Sequence, residues 1–249
     1  MRDAGVSRWA QSRDGLPRER SRPQQLELSM FAGHIGAALA IGRGARDINV
    51  GIFVTAALLL DLLLWLFVLL GWESVAIPDD FVSRHQPEFV FPYSHGLLAS
   101  VIWSAAAGAV ALIVYSHLRI RWRVAALIGV AVLSHWLLDA LVHRSELPLA
   151  GSGSRPVGLA LWNRMPLALA LEAALVVVGV YQFTSTARLS RNRSIAVALL
   201  SAIAMGLTAL GMTIAPAPPS STAMAGSSLA TLAVVCVLTC WLGRVPSRV

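Results

Sequence analysis

The sequence contains no lysine and only two cysteines, and charged side chains make up 13% of its 249 residues. Each shortage excludes something. Soluble domains carry about 25% charged residues, so this chain has too little polar surface to cover a water-facing globule. A disulfide framework is excluded as well. Cys236 and Cys240 lie four apart in one apolar run, on one helical face, where bridging geometry is not reached. They are expected to be buried free thiols. Residues 1–27 mix six arginines with four acids and contain no apolar stretch, which argues against a signal peptide. This segment is expected to be a disordered Arg-rich tail, because it cannot bury enough apolar surface to offset its ordering entropy.

What the chain has in abundance is apolar sequence, 56% of all residues with a mean hydropathy of +0.67. The apolar residues come in runs of about 20, the length that crosses a hydrocarbon core roughly 30 Å thick. Run lengths and Pro, Gly and Arg punctuation predict six spans, over 49–70, 93–117, 124–143, 166–184, 194–214 and 228–243. A shorter helix is expected over 28–42. The predicted class is therefore all-α, a polytopic transmembrane helical bundle occupying 28–249. No internal repeat is evident.

The net charge of +7 is carried by arginines in the tail and in short turns between apolar runs. That placement is an orientation signal and not a nucleic-acid footprint. The expected partner is the lipid bilayer, with no nucleic acid. Turns 43–46, 119–123, 188–193 and Arg244/Arg248 alternate with the Arg-poor loops 71–92 and 215–227. Placing the Arg-rich turns in the cytoplasm of a bacterial cell puts loop 71–92 outside the inner membrane. Loop 144–165 carries Arg144, Arg155 and Arg164 and fits least well, and Trp162 near its end reads as an interfacial anchor. The short first helix conflicts with this scheme if it crosses the membrane and agrees with it if it is re-entrant or interfacial.

Three acids fall inside apolar spans: Asp61, Asp139 and Glu172. Ionisable groups at such depth are costly and face the bundle interior with partners. Asp61, in ALLLDLLLWLF, lies nine residues before Leu70, roughly 14 Å deep at 1.5 Å per residue. Such a carboxylate must be protonated, paired or bound to metal. In LSHWLLDALVH, His135, Asp139 and His143 recur every four residues, on one helical face. His95, in FPYSHGLLAS, opens the preceding span, and His34 sits on the short first helix. Imidazole and carboxylate together suit a divalent metal ion: Zn, Mn or Fe. The candidate ligands are His34, Asp61, His95, His135 and Asp139, with Ser94, His143 and Glu172 as supporting positions. His117 reads as interfacial, beside an Arg turn, and His85 as solvated in a charged loop.

GHIGAALA, LLLDLLLW, PYSHGLLAS and SHWLLDALVH, in that order and spacing, resemble the YdjM-like family. Its members are described as LexA-binding, inner-membrane-associated, metal-dependent hydrolases. The resemblance covers about residues 30–145, leaving 146–249 as additional membrane helices. It implies that the family's first His falls on His34 and its aspartate motif on Asp61. It also places the Ser-His pair on Ser94 and His95, and the His-x-x-x-Asp on His135 and Asp139. The implied activity is hydrolysis by a metal-bound water, and location within a bilayer suggests a lipid-like substrate. Two positions depart from the family pattern. Leu63 stands where a second acid is common, and FVFPY replaces a His-Arg before the Ser-His. Two other readings stay open: an ion- or proton-coupled transporter using the intramembrane carboxylates, and a non-catalytic membrane scaffold.

Overall fold

The computed structural model describes residues 31–244. In chain order the helices are α1 (Ala32–Gly42), α2 (Val50–Ala57), α3 (Leu59–Leu70), α4 (Phe81–Arg84), α5 (Leu97–Val114), α6 (Arg121–Val142), α7 (Met165–Thr184), α8 (Arg191–Thr213) and α9 (Ser221–Leu242). Two short antiparallel ribbons complete the described residues. β1 (Ser74–Ala76) pairs with β2 (Glu88–Val90) and sets Val75 opposite Phe89, and β3 (Leu147–Pro148) pairs with β4 (Pro156–Val157). The chain is all-α in character. Five helices are long and apolar enough to cross a membrane, and the bent pair α2–α3 makes a sixth span if taken as one. The expected tail, 1–27, lies outside the described residues.

Local chemistry sets the helix ends. Side-chain caps satisfy first-turn N–H groups that have no partner within the helix. Asn49 accepts from Gly51 N–H at the start of α2, and Ser220 accepts from Ala223 N–H at the start of α9. The Ser220 cap is why the last span begins at Ser221 and not at 228 as expected. α3 ends in a Schellman motif on left-handed Gly71 (φ 74°), with Trp72 N–H bonded to Phe67 C=O and Gly71 N–H to Val68 C=O.

The span expected over 49–70 is not continuous. The backbone ladder runs to Leu58 N–H, bonded to Val54 C=O, and resumes at Leu62 N–H, bonded to Leu58 C=O, with a 49° bend between α2 and α3. Neither Pro nor Gly occurs at the break, and the carbonyl that it frees takes a tertiary partner, described below.

α1 sits at the centre, packed on α2, α6, α7 and α8, with His34, Ile35, Ala38 and Leu39 all buried. Its 11 residues span about 16 Å, half of a hydrocarbon core, so within the described residues it is a half-length interior helix. Close crossings on glycine let it sit there. A Cβ on Gly36 would run into the Leu175 carbonyl, and one on Gly179 into the Gly36 backbone. Such small-residue contacts are how membrane helices approach closely. α5 is peripheral instead, burying only Ser100 and Ala111 while Ile113 stands 75% exposed. That is the surface expected to face lipid.

The Arg turns gather at one end. Arg188 pairs with Asp47, Arg43 donates to Gln182, Arg193 donates to the Arg244 carbonyl, and Gly44 abuts Leu127 in the early turns of α6. The two ribbons and α4 form the opposite end. Gly36→Val is predicted to push α1 off α7 and to destabilise the fold by about 1–3 kcal/mol, the usual cost of overpacking. Gly206→Ala and Gly226→Ala meet open space on α8 and α9 and are predicted to be neutral or to stabilise by about 0.5–1 kcal/mol. Melting temperatures in detergent check both.

Candidate metal centre

Four segments deliver side chains to one buried point: α1 with His34, the first turn of α3 with Asp61, the turn before α5 with His95, and α6 with His135 and Asp139. All five side chains are buried, and His135 is wholly so. His95 Nε2 lies 3.1 Å from His135 Nε2. Asp139 Oδ2 lies 3.3 Å from the first and 3.2 Å from the second. Asp61 Oδ1 stands 3.6 Å from both imidazole nitrogens. His34 Nε2 approaches the other oxygen of Asp139, Oδ1, at 3.2 Å, while its ring stacks on His135 with centroids 3.8 Å apart. The five residues form two overlapping sets, His34/Asp61/His135 and His95/His135/Asp139, each with ligand atoms within 4.8 Å of one another.

The outer nitrogens of the two facing histidines are committed elsewhere. His135 Nδ1 is 2.6 Å from the Ala57 carbonyl. A carbonyl only accepts, so Nδ1 carries the proton. The break between α2 and α3 makes that bond available, because in an unbroken helix Ala57 C=O would accept from Asp61 N–H. The same break makes Asp61 a first-turn residue of α3, where the positive end of the helix dipole favours a carboxylate.

His95 Nδ1 is 2.8 Å from Ser94 Oγ, and Ser94 Oγ is 2.7 Å from Glu73 Oε2. Glu73 Oε1 also accepts from the N–H groups of Tyr93 and Ser94, each at 2.8 Å. Burial pushes the Glu73 carboxyl's pKa up from its usual range, and the hydrogen bonds from Ser94 and Tyr93 oppose that shift. Two N–H groups and one O–H converge on the two oxygens of Glu73, the pattern of an ionised carboxylate, which accepts only. The Ser94 hydroxyl proton is then spent on Glu73, and His95 Nδ1 must donate to Ser94. A neutral ring then turns its Nε2 to the cluster as a lone pair, and a doubly protonated one turns an Nε2–H to Asp139.

Imidazole nitrogens and carboxylates gathered this closely could hold a metal ion. The donor set fits one. An ion with four bonds of about 2.0–2.1 Å to N and O separates tetrahedral ligands by about 3.3 Å, and the His95–His135–Asp139 triangle has edges of 3.1–3.3 Å. Among the described residues, Asp61 Oδ2 and His34 Nδ1 are buried without a hydrogen-bond partner, which leaves each able to take a further ligand.

The supporting positions take defined places. Glu172 on α7 is buried and accepts from Gly33 N–H at 2.7 Å, fixing the start of α1 next to His34. His143 is buried too, its Nε2 4.0 Å from Asp139 Oδ2 and its Nδ1 2.7 Å from Glu146 Oε1. Trp162, expected as an interfacial anchor, is instead buried with its ring 4.0 Å from that of His143. His85, expected to be solvated, is buried at the left-handed end of α4, beside Gln86, which donates to the Trp162 carbonyl. In both cases the loops fold over the cluster instead of lying in water. His117 is exposed beside its Arg turn. Cys236 is buried and Cys240 half-buried, both free.

Asp61, Trp65, Phe89, Phe91, His95, Asp139, His143 and Trp162 line a small cavity with about 20 Å³ open to the centre of a water-sized molecule. One water needs about 10–15 Å³ by that measure, so the cluster meets a water pocket and not a wide cleft. Glu73 is the site residue that sequence reasoning missed. The signal for it was Ser94, whose hydroxyl beside a buried His needs an acceptor.

Comparison of the chain with family models, curated proteins and solved structures gives no match. Glu172→Ala leaves Gly33 N–H buried without a partner and is predicted to cost about 1–3 kcal/mol. Glu172→Gln retains an accepting oxygen and should cost less. Thermal unfolding of the two variants against wild type checks the ordering.

Proposed function

We propose that the chain is a multi-pass protein of a bacterial inner membrane that hydrolyses an ester or phosphoester bond of a lipid-like substrate with a divalent metal ion. The observation that carries this reading is the pair of facing imidazole nitrogens, 3.1 Å apart and flanked by Asp61 and Asp139. His95, His135, Asp139 and Asp61 would hold the ion, and His34 would brace Asp139 through its second oxygen. A divalent ion in such a setting supplies Lewis acidity and an activated water at neutral pH. Zn, Mn and Fe are the metals that the nitrogen–oxygen donor set favours.

The chain's own groups fit around that chemistry. His143 keeps its Nδ1 on Glu146 and lines the water pocket together with both aspartates, where it is placed to take or return a proton. Phe89, Phe91 and Trp162 close the pocket, so a substrate larger than water enters only when these capping loops move. With the Arg turns in the cytoplasm, the pocket opens toward the outer half of the bilayer. The order of GHIGAALA, LLLDLLLW, PYSHGLLAS and SHWLLDALVH, similar to the YdjM-like hydrolases, supports the same reading.

A transporter built on the intramembrane carboxylates needs further ionisable groups that lead through the bundle. Between the cluster and the Arg-rich end, residues 35–42, 50–60, 124–134 and 173–187 contain no acid, base or histidine. The cluster is a site at the end of a short entry, which favours catalysis over passage.

Elemental analysis of purified protein is predicted to find about one equivalent of a divalent transition metal, lost in His135→Ala and Asp61→Asn. Lipid-ester or phosphoester hydrolysis should disappear on chelation and return on adding the metal back. A wild-type preparation that is metal-free and as stable as both variants would sink the proposal.

A further inference from the structure

The hydrogen-bond chain Glu73–Ser94–His95 starts outside the cluster and ends on one of its nitrogens. Glu73 sits just beyond the Gly71 turn that closes α3, directly before β1, and is buried. Its Oε1 is fully used by two backbone N–H groups of the turn that carries Ser94 and His95. Its Oε2 has one side-chain partner, the Ser94 hydroxyl at 2.7 Å, and that hydroxyl is also 2.8 Å from His95 Nδ1. Ser94 is wholly buried, so its single proton has two places to go in this network: Glu73 or His95. Which one it takes decides whether His95 carries its own proton on Nδ1 or on Nε2.

We propose that Glu73 is a positioning residue that sets the tautomer of His95, holding the proton on Nδ1 so that Nε2 faces the cluster as a free donor. The inference rests on the metal-site reading above for its consequence, which is the affinity of the cluster for its ion. A carboxylate at 73 accepts and never donates, so it draws the Ser94 proton away from His95. An amide at 73 reverses this. In Glu73→Gln the amide oxygen must stay on the two backbone N–H groups, which places the NH2 group against Ser94 Oγ. The Ser94 hydroxyl then either donates to His95 Nδ1, moving the imidazole proton to Nε2, or is left buried without an acceptor. Supporting partners of metal-ligating histidines fix tautomer and ring orientation in this manner, and their loss costs about 10–100-fold in metal affinity.

The test uses full-length protein in detergent, Zn(II) titrated against a competing chelator, and three variants: Glu73→Gln, Ser94→Ala and the double variant. Glu73→Gln is expected to weaken Zn binding about 10–100-fold while its metal-free melting temperature stays close to wild type, since both backbone N–H groups keep their acceptor. The double variant is expected to bind like Ser94→Ala alone, because without the hydroxyl the residue at 73 no longer addresses His95. Zn binding by Glu73→Gln equal to wild type would overturn the proposal, as would losses that multiply in the double variant. Nitrogen-15 NMR of imidazole-labelled, metal-free wild type reads the tautomer directly and needs no variant to fold. Read at a pH where the ring carries a single proton, that proton on His95 Nδ1 supports the proposal and on Nε2 overturns it. Failure of the metal reading looks different: wild type takes up no Zn at all, whatever the tautomer.

Discussion

Two imidazole nitrogens held 3.1 Å apart, each on a ring whose other nitrogen is already donating, repel one another as bare lone pairs, and the carboxylates beside them add to that repulsion. A shared positive charge relieves it for all four groups at once. Much of the surrounding structure serves to hold this arrangement. The 49° break at Leu58 presents the Ala57 carbonyl to His135 and turns Asp61 into a first-turn carboxylate. The Gly36–Gly179 crossing seats a half-length helix deep in the bundle, so that His34 reaches Asp139. Glu172 holds the start of that helix, and Glu73 reaches His95 from the capping ribbon.

This dependence explains why strained or irregular backbone occurs where it does. Broken helices at membrane depth are tolerated where the freed polar groups find partners inside the protein. Here they find them in the cluster. The long helices α7, α8 and α9, which contribute only Glu172 to this region, run unbroken. Function, on this account, is concentrated in the first half of the described chain, and the second half supplies walls and depth.

The membrane spans and the histidine–carboxylate set were legible in the sequence for one reason. An Asp in ALLLDLLLWLF or a His-x-x-x-Asp in an apolar run is chemically conspicuous, because a hydrocarbon setting leaves it few alternatives. Other features carried no such contrast. Glu73 shares its loop with Asp79, Asp80 and Glu88, and nothing in composition separates the buried acid from the exposed ones. The break at Leu58 falls in a run of leucines with no Pro or Gly to announce it, and the Ala57 carbonyl that it frees is taken by His135 from another helix. His85 and Trp162 were read from charged or loop-like neighbours, yet both are buried by loops that fold back over the site. Local sequence reports depth in the membrane well and reports tertiary capping poorly.

The central claim is that His95 and His135 share one cation with aspartate oxygens. X-ray absorption spectroscopy at the edge of the metal that co-purifies with the protein tests it most directly. The account predicts a nitrogen–oxygen shell at about 2.0–2.2 Å with the outer-shell scattering of two imidazole rings, and loss of one ring in His95→Ala. A spectrum of a metal bound only by oxygen, with no imidazole scattering, would contradict it.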